Sequence, residues 1–263
     1  MIRKNRLSIW FCIAGILLYS SMAFAGETVR ITTGEFPPYV SRDLKHQGIV
    51  TRIVRESFRM VDITAKFGFF PWKRSKSLAK MGAWDACSFW AKMPSIEKDF
   101  YVSDTLLEGP LVFFHSNKTD FDWHSVEDLQ GYRIGGVLGN VYGPAIARAE
   151  KAGKINIYRL PSEKEALKLL LNGGVEIFPV NREAGFYILQ KNFPKKMIRD
   201  ITYHPNPIRT SHYSLIFSKK LEKNKKLVKR FNKGLYRLKK SGRYDRYVKE
   251  SAAGAYIIPR QNP

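Results

Sequence analysis

The sequence predicts an α/β fold made of two similar lobes. Segments with strand-like and helix-like patterns alternate along the chain, they do so in two separate sets, and one helix–glycine–strand pattern occurs in both sets. Alternation of this kind is typical of βαβ units with a parallel sheet. Open α/β sheets bind ligands outside the carboxyl ends of their strands, so two facing lobes would form a ligand cleft there.

The first set of elements lies in the first third of the chain. It contains a strand, a turn-rich segment, a helix with one apolar face, a second strand, a second helix that ends at a glycine, and a short apolar strand: 29–33, 34–40, 48–61, 63–70, 71–82 and 85–90. Pro71 suits the first turn of the second helix, where a missing N–H costs nothing. This order predicts two consecutive βαβ units.

The second set begins near residue 133 and repeats this order. Its segments are strand, helix, strand, helix, strand and helix: 133–139, 144–153, 155–160, 163–172, 175–180 and 182–192. Ser162 and Glu165 have the spacing of a capping box at the start of the second of these helices, and Gly173-Gly174 ends it. The second set therefore predicts a second α/β lobe.

Two stretches show the similarity between the sets most directly. LAKMGAWDACSFW (78–90) and LLLNGGVEIFPVN (169–181) both run from a helix through glycine to an acidic residue and an apolar strand. In this overlay Trp90 and Asn181 occupy equivalent positions just past a strand. The pattern predicts that Trp90 lines the cleft from the first lobe and Asn181 lines it from the second.

The N-terminus has the features of a secretory signal peptide. Three basic residues precede an apolar run, and Ala23-Phe24-Ala25 provides a small-x-small cleavage site, which predicts removal of residues 1–25 and export to the periplasm. An uncleaved membrane anchor is the alternative. After cleavage Cys87 would be the one remaining cysteine, so the mature chain would depend on ordinary hydrophobic cores and not on disulfides.

The chain is strongly basic. Its formal net charge is +22, and it falls to +19 when the predicted signal peptide, with three basic and no acidic residues, is removed. Fourteen of the 45 Lys and Arg residues lie between Lys219 and Lys249, where apolar residues at helical spacing predict one amphipathic helix. Such a helix normally solvates its charged face. Weak attraction to an anionic envelope surface is the other interpretation, and we expect no specific nucleic-acid binding.

Six motifs occur in the order and spacing of a known family: GEFPPYV, GIVTRIVRESF, PWKRSKSLAKMGAWDA, SIEKDFYVSDTL, RIGGVLGNVYG and YSLIFSKKLEKNKKLVKRFNKGLYRLKKSGRYDRYV. With these motifs the mature chain resembles, over nearly its whole length, the family 3 periplasmic solute-binding proteins, the receptors of polar amino-acid-type ABC importers. The resemblance implies a two-lobed periplasmic-binding-protein-like (type II) fold with two crossover strands, which closes on its ligand by hinge motion. Lobe 1 would comprise residues 26–115 plus 212–263, and lobe 2 residues 116–211.

The sequence departs from this family where amino-acid binders hold their ligand. The resemblance places the carboxylate-binding arginine at Ile96 and the ammonium-binding aspartate at Asn181, and Asn140-Val141-Tyr142 replaces a small Ser or Thr. A guanidinium fork for a carboxylate and a negative charge for an ammonium group are therefore both missing. These departures argue against an ordinary α-amino acid and favour another small polar or anionic ligand.

Nine residues near the predicted strand ends are candidates for ligand binding: Glu35, Tyr39, Trp72, Arg74, Trp90, Asn140, Tyr142, Asn181 and Arg182. The aromatic members would stack on the ligand or close over it, and Glu35 would meet a ligand cation. Arg74 is the expected substitute for the missing arginine, and Arg182 is a second possible clamp, because a guanidinium can hold a carboxylate through two hydrogen bonds. Asn140 would lie at a helix N-terminus, where backbone N–H groups favour anions. Ordinary packing, helix capping or a surface salt bridge is the alternative role of these residues.

The sequence predicts a binding protein and not an enzyme. It has no spacing typical of a nucleophile with its base, of paired catalytic carboxylates or of a metal site, and GGVLGNVYG lacks the lysine and hydroxyl of a P-loop. We expect a monomer that needs no cofactor and captures a small-molecule ligand, with an ABC permease as its partner. Two alternatives remain: a sensor-type binder that serves a membrane signalling protein, and a basic envelope-surface module with a degenerate pocket.

Overall fold

The computed structural model describes residues 26–258, so the predicted signal peptide lies outside the described residues. Ten strands form one sheet: Glu27–Thr33 (β1), Ile63–Phe69 (β2), Ala86–Ala91 (β3), Phe100–Val102 (β4), Leu107–Ser116 (β5), Ile134–Val137 (β6), Ile157–Leu160 (β7), Ile177–Asn181 (β8), Ile201–Tyr203 (β9) and Arg209–Ser218 (β10). The α-helices are Ile49–Arg59 (α1), Trp72–Lys80 (α2), Pro94–Glu97 (α3), Pro144–Lys151 (α4), Glu163–Leu171 (α5), Arg182–Asn192 (α6), Lys195–Ile198 (α7), Asn224–Lys240 (α8) and Arg243–Ala252 (α9). No helix in the described range is long and apolar enough to cross a membrane.

The sheet order is β2-β1-β3-β10-β5-β8-β6-β7, with β4 paired to β10 and β9 paired to β5. β1 pairs in parallel with β2 and β3, and β6 pairs in parallel with β7 and β8. β5 and β10 run antiparallel to each other and to their neighbours. These two long strands pair with each other at their starts and end in different halves of the sheet, so they are the crossover strands. The predicted α/β class with two crossover strands is confirmed.

The half of the sheet with β1–β3 is lobe 1, and it has a hydrophobic cluster on each face. α1 and α8 cover one face around Ile31, Ile53 and Phe231. A smaller cluster that includes Ile96 and Phe100 covers the other face. Apolar clusters on both faces are typical of strands that lie between helices.

The half with β6–β8 is lobe 2, and its core is separate from that of lobe 1. Phe113 and Phe114 are neighbours in β5 and point to opposite faces, where they join two different clusters. α4 covers the first face, and α5 and α6 cover the second. The predicted lobe boundaries at 115/116 and 211/212 fall within the crossover strands and stay predictions.

The basic C-terminal segment forms two helices where the sequence predicted one. α8 buries its apolar stripe on lobe 1 and approaches α1 so closely that a side chain at Gly234 would collide with the carbonyl group of Ser57. α8 ends at Lys240, and Gly242 adopts a left-handed conformation (φ 71°) that side chains rarely tolerate before α9 begins. Apolar spacing identified the buried face, but it could not distinguish one helix from two helices that bury their stripes on the same lobe.

Candidate functional site

Four aromatic side chains form an aromatic wall on the lobe 1 side of the cleft. Phe36 and Tyr39 lie in the loop after β1, Phe89 lies in β3 and Tyr213 lies in β10. The Phe89 ring stacks on Tyr213 with centroids 4.0 Å apart, and the Tyr39 ring lies 4.8 Å from Phe89 and 5.7 Å from Phe36. Aromatic pairs at such separations add stability beyond their buried area, so this wall is a packed, preformed surface.

Phe89 joins the aromatic wall through a β-bulge in β3. Cys87 pairs with Ile216 and Trp90 pairs with Ser214, so β3 has one residue more than β10 over this interval. Phe89 lies in the bulge with a positive φ of 65°, which is uncommon for a residue with a side chain. The extra residue shifts the alternation of side chains, so Phe89 packs in the lobe 1 core against Tyr39 and Tyr213, and Trp90 packs on the opposite face.

Trp90 packs on the other face of the lobe 1 sheet. Its indole N–H donates to Cys87 Sγ at 2.9 Å, and its ring meets Trp72 edge to face at 5.7 Å. Cys87 is fully buried, and this burial raises the pKa of its thiol to about 11, so the thiol stays protonated and unreactive at neutral pH. The structure therefore places Trp90 away from the cleft, in contrast to the expectation from the overlay of the two sets.

A hydrogen-bonded contact, the Tyr39 bridge, joins the two lobes directly. The Tyr39 hydroxyl lies 2.7 Å from Glu183 Oε2 and 3.0 Å from Asn181 Oδ1. Because a phenol has one proton, the two acceptors share it. Burial and the adjacent Glu183 carboxylate raise the pKa of Tyr39 well above its ordinary value, so the phenol keeps the proton that it donates.

Asn181 ends β8 and caps the N-terminus of α6. Its Oδ1 accepts the backbone N–H of Ala184 at 3.1 Å in addition to the Tyr39 hydroxyl. The amide NH₂ of the same side chain lies close to Gly109: a Cβ atom added to this glycine would be 3.0 Å from Asn181 Nδ2. This leaves the NH₂ group of Asn181 as a donor beside the floor of the cleft.

A cavity of about 490 Å³, the cleft cavity, lies between the lobes next to Asn181. Phe36 and Tyr213 of the aromatic wall line it from one side. Lobe 2 and the start of β10 provide its polar lining, which includes Asn140, Tyr142, Glu163, Asn181, Arg209 and Ser211. The cleft cavity therefore has a stacking surface on one side and hydrogen-bonding groups on the other.

Two charged side chains line the cleft cavity without an ion pair to any other residue of the range 26–258. Arg209 is exposed, and one Nη1–H donates to Ser211 Oγ at 2.9 Å. Glu163 is half-buried in the first turn of α5, and this burial raises the pKa of its carboxyl group. Charges that no protein group neutralises are available to a ligand, an acidic group for Arg209 and a donor for Glu163.

Three of the nine predicted residues line the cleft cavity and a fourth forms the bridge: Asn140, Tyr142, Asn181 and Tyr39. The Tyr142 hydroxyl accepts the backbone N–H of Val137 at 2.7 Å, and its buried ring belongs to the lobe 2 core. Asn140 is exposed, and its backbone carbonyl accepts a hydrogen bond from Arg159 at 2.8 Å. The structure thus brings these four residues together.

Three other predicted residues lie on lobe 1 outside the cleft cavity. Glu35 and Trp72 line a separate surface cavity of about 370 Å³ with Arg42, whose Nε lies 3.8 Å from the Glu35 carboxylate. Arg74 is exposed in α2, with its guanidinium 5.4 Å from the ring of Phe70. Arg74 is not among the residues that line the cleft cavity.

Arg182, the last predicted residue, starts α6 and pairs with Glu183, the acceptor of the Tyr39 bridge. Arg182 Nε donates to Glu183 Oε1 at 2.8 Å. Burial alone would lower the pKa of Arg182, but the Glu183 carboxylate outweighs it and the pKa is raised. Two further cavities of about 360 and 580 Å³, the α6–α9 cavities, are lined by this pair together with Ser251 and Ala252 of α9.

Five residues of the site are not singled out by the sequence: Phe36, Phe89, Glu163, Arg209 and Tyr213. Two of them lie within motifs that carry the family resemblance. Phe36 follows the candidate Glu35 in GEFPPYV, and Tyr213 begins the last motif. Arg209 has no local signal because its neighbours form a crossover strand. Glu163 has none because acidic residues are common in the first turn of a helix.

Comparison with known proteins agrees with this architecture. The family of bacterial extracellular solute-binding proteins, family 3, matches residues 29–251. The second substrate-binding domain of Lactococcus lactis GlnP, in an open conformation, superposes with a TM-score of 0.70 at 17% identity, covering 86% of this chain and 96% of that chain. A histidine kinase sensor domain with similarity to periplasmic binding proteins gives 0.61 at 18%, with 86% and 96% covered. An ancestral arginine-binding protein bound to arginine gives 0.59 at 19%, with 85% and 97% covered.

The structural matches are too low in identity to show more than the fold, and no curated protein matches the sequence. The family match covers most of the chain and confirms the predicted family. Members of this family are binding proteins and not enzymes. Among residues 26–258 there is also no group of three or more side chains that could hold a metal ion. The chain belongs to the bacterial extracellular solute-binding proteins, family 3.

Proposed function

We propose that this chain is an exported, periplasmic binding protein that captures a small polar or anionic ligand in the cleft cavity. The observation that supports this most strongly is a polar lining in which Arg209 and Glu163 form no ion pair within the described residues, opposite a preformed aromatic surface. A volume of about 490 Å³ lies within the range of small-molecule sites, roughly 300–1,000 Å³. The ligand would lie between the lobes and stabilise their closed arrangement.

The chemistry of the lining favours a ligand with an acceptor or acidic group at one end. The Arg209 guanidinium and the Asn181 amide are donors, and an arginine can hold a carboxylate through two parallel hydrogen bonds. Glu163 would accept a hydrogen bond from another part of the ligand. Ile96, which stands at the usual position of the carboxylate-binding arginine, is buried in the lobe 1 core, so Arg209 is the guanidinium available to the cleft cavity.

The α6–α9 cavities fit a ligand role less well, although one of them is larger. Their Arg182 and Glu183 side chains already pair with each other, and Glu183 also accepts from Tyr39. A ligand there would have to replace these contacts before it gained its own. In the cleft cavity Arg209 and Glu163 have no ion pair within the described residues for a ligand to replace. This cavity also lies at the carboxyl end of β8, where open α/β sheets bind ligands.

We propose an ABC importer as the destination of the ligand, with lobe 1 (26–115 plus 212–263) and lobe 2 (116–211) as the moving units. The likeness to the substrate-binding domain of GlnP supports this partner. The likeness to a histidine kinase sensor domain supports the second candidate, a binder that serves a membrane signalling protein. A strain that lacks the gene would lose uptake of the ligand in the first case. In the second case uptake would persist and a transcriptional response to the ligand would be lost.

The ligand can be found by thermal unfolding of the mature chain against a panel of amino acids, carboxylates, polyamines and oligopeptides. A ligand at about 100 times its Kd adds about 2.7 kcal/mol to the free energy of unfolding, which raises the Tm of a domain of this size by roughly 5–10 °C. We expect Arg209→Gln to lower the affinity for the best ligand at least about tenfold, since it removes a charge-assisted hydrogen bond.

Arg74→Gln is the matched control, because it removes the same charge from an exposed position outside the cleft cavity. It should leave the Tm increase unchanged. An equal loss of affinity in both variants, or full affinity in Arg209→Gln, would contradict the proposed site. A panel without any hit would favour the degenerate-pocket alternative.

A further inference from the structure

The outward side of α8 carries a continuous row of positive charge. Six exposed side chains form this lysine face: Lys225, Lys226, Lys229, Lys233, Tyr236 and Lys240. At about 100° per residue they fall within an arc of roughly 100° on the helix, opposite the buried stripe of Leu227, Phe231 and Leu238. The row is about 22 Å long at 1.5 Å per residue. Because the buried stripe fixes the rotation of α8, the lysine face is held pointing to solvent.

The lysines of this face have no acidic partner among the described residues, although other basic residues of the same segment do. Lys223 Nζ lies 2.7 Å from Asp85, and Arg230 pairs with Glu27. Lys223 immediately precedes α8 and Arg230 lies on its flank, so both side chains reach acidic residues of lobe 1. The unpaired lysines project away from the body of the protein, where no acidic group of the described chain meets them.

The spacing of the lysines makes an ordinary solvated helix a poor explanation. Lys225, Lys229 and Lys233 follow one another at the i,i+4 spacing, where like charges destabilise a helix and an acid–base pair would stabilise it. No acidic residue occurs between Glu222 and Asp245 to provide such a pair. These lysines therefore repel one another, and a single acidic substitution among them would relieve the repulsion. Its retention points to a partner that neutralises the lysine face.

The neighbouring helices do not neutralise it either. Glu56 of α1 is engaged by Arg243, and Glu250 of α9 is engaged by Arg52. The third acidic residue of these two helices, Asp245 of α9, is exposed and forms no ion pair with any lysine of this face. We therefore expect an anionic partner to neutralise the charge of the lysine face.

We propose that the lysine face docks on the anionic headgroups of a lipid membrane. Lysine is a compact point charge on a flexible stem, which suits a fluid layer of headgroups better than a fixed recognition geometry. Tyr236 is 61% exposed and its ring lies 5.6 Å from Lys240 Nζ, so an amphipathic ring would sit at headgroup level beside the charges. Proteins bind single-stranded nucleic acid in charged grooves with several stacking aromatics, whereas this face is convex and has one ring.

Docking through the lysine face would leave the ligand sites free. None of its six residues lines the cleft cavity or either of the α6–α9 cavities. The protein could therefore stay at the membrane surface with an open cleft, close to a membrane-embedded partner. This inference is independent of the proposed ligand site, since it rests on α8 alone.

Vesicle sedimentation of the mature chain tests the proposal. We expect binding to vesicles of phosphatidylglycerol and phosphatidylcholine, and none to phosphatidylcholine alone. The triple variant Lys225→Gln/Lys229→Gln/Lys233→Gln should lower the partition coefficient about 100-fold, because each lysine near an anionic surface contributes roughly fivefold. The matched control Lys151→Gln/Lys154→Gln/Lys164→Gln removes three exposed charges from lobe 2 and should lower it less than about fivefold.

Three results would overturn the proposal: no binding of the parent to the anionic vesicles, an equal loss in both triple variants, or tighter binding of the parent to duplex DNA than to the vesicles. An equal loss would mean that diffuse net charge drives attachment and that the lysine face has no special part. Unfolding temperatures establish that the variants are folded. The single reversal Lys229→Glu provides a second test, since it should weaken vesicle binding more than Lys154→Glu does.

Discussion

The two lobes contribute different kinds of surface to the cleft. On lobe 1 the aromatic wall is continuous with the core: Tyr39 and Phe89 are buried members of the main hydrophobic cluster, and Phe36 and Tyr213 pack against it. On lobe 2 the lining includes polar and charged side chains such as Asn140, Asn181 and Glu163, and Glu163 has no ion pair within the described chain. Changes to the first surface should therefore affect stability, and changes to the second should affect ligand recognition.

Phe89→Ala should have the largest effect of the changes considered. Phe89 is 5% exposed and stacks on Tyr213, so its removal leaves a cavity in the lobe 1 core. We expect the free energy of unfolding, measured by urea denaturation, to fall by about 3 kcal/mol. Tyr158→Ala removes a 62% exposed ring from lobe 2 and should change it by less than about 0.5 kcal/mol. Similar losses in the two variants would mean that the aromatic wall is no more than surface.

Tyr39→Phe should have an intermediate effect, because it removes the hydroxyl of the Tyr39 bridge and keeps the ring. We expect a loss of about 1.5 kcal/mol in the free energy of unfolding, typical of a hydrogen bond to a charged group. Small-angle scattering should also show a larger radius of gyration, since a direct contact between the lobes is gone. Tyr213→Phe is the control: its hydroxyl makes no hydrogen bond within residues 26–258, so both quantities should match the parent. An unchanged radius in Tyr39→Phe would show that the bridge does not restrain the lobes.

Glu163→Gln should have the smallest effect, and this effect depends on pH. Burial raises the pKa of Glu163, so the folded state holds the proton more tightly than the unfolded state does. The stability from this carboxyl is complete below the ordinary glutamate pKa of about 4.3 and decreases as the pH rises through the raised folded pKa. The glutamine variant lacks this decrease, so its advantage over the parent in thermal unfolding should grow across that window. Glu222→Gln changes an exposed glutamate and is the control. A difference in stability between Glu163→Gln and the parent that stays constant with pH would contradict the raised pKa of Glu163.

Local pattern in the sequence predicts much of the fold. Helical spacing and glycine stops placed α1, α2, α5 and α6, and the alternation of elements predicted parallel pairing in both lobes. Local pattern does not predict the site, because the contacts of the site join residues that are distant in sequence. The Tyr39 bridge to Asn181 and Glu183 is an example. The β-bulge puts Phe89 and Trp90 on opposite faces of the sheet. It has a positive φ at Phe89 and no sequence signature.

The lobe comparison also explains which candidates entered the cleft. Asn140, Tyr142 and Asn181 end or follow strands of lobe 2 and line the cleft cavity, as expected where strand ends meet at one edge of a sheet. Arg74 also lies near a predicted strand end, but it stands in the first turn of a helix, where the direction of a side chain depends on how the helix packs. Arg209, the proposed recognition residue on crossover strand β10, belongs to neither pattern.

A crystal structure of the mature chain with the best ligand from the panel tests the central claim most directly. We predict that the ligand occupies the cleft cavity, stacked on Phe36 or Tyr213 and within hydrogen-bond distance of Arg209 and the Asn181 amide. Occupancy of the α6–α9 cavities with an empty cleft cavity would contradict the assignment of the ligand site and the division of roles between the lobes.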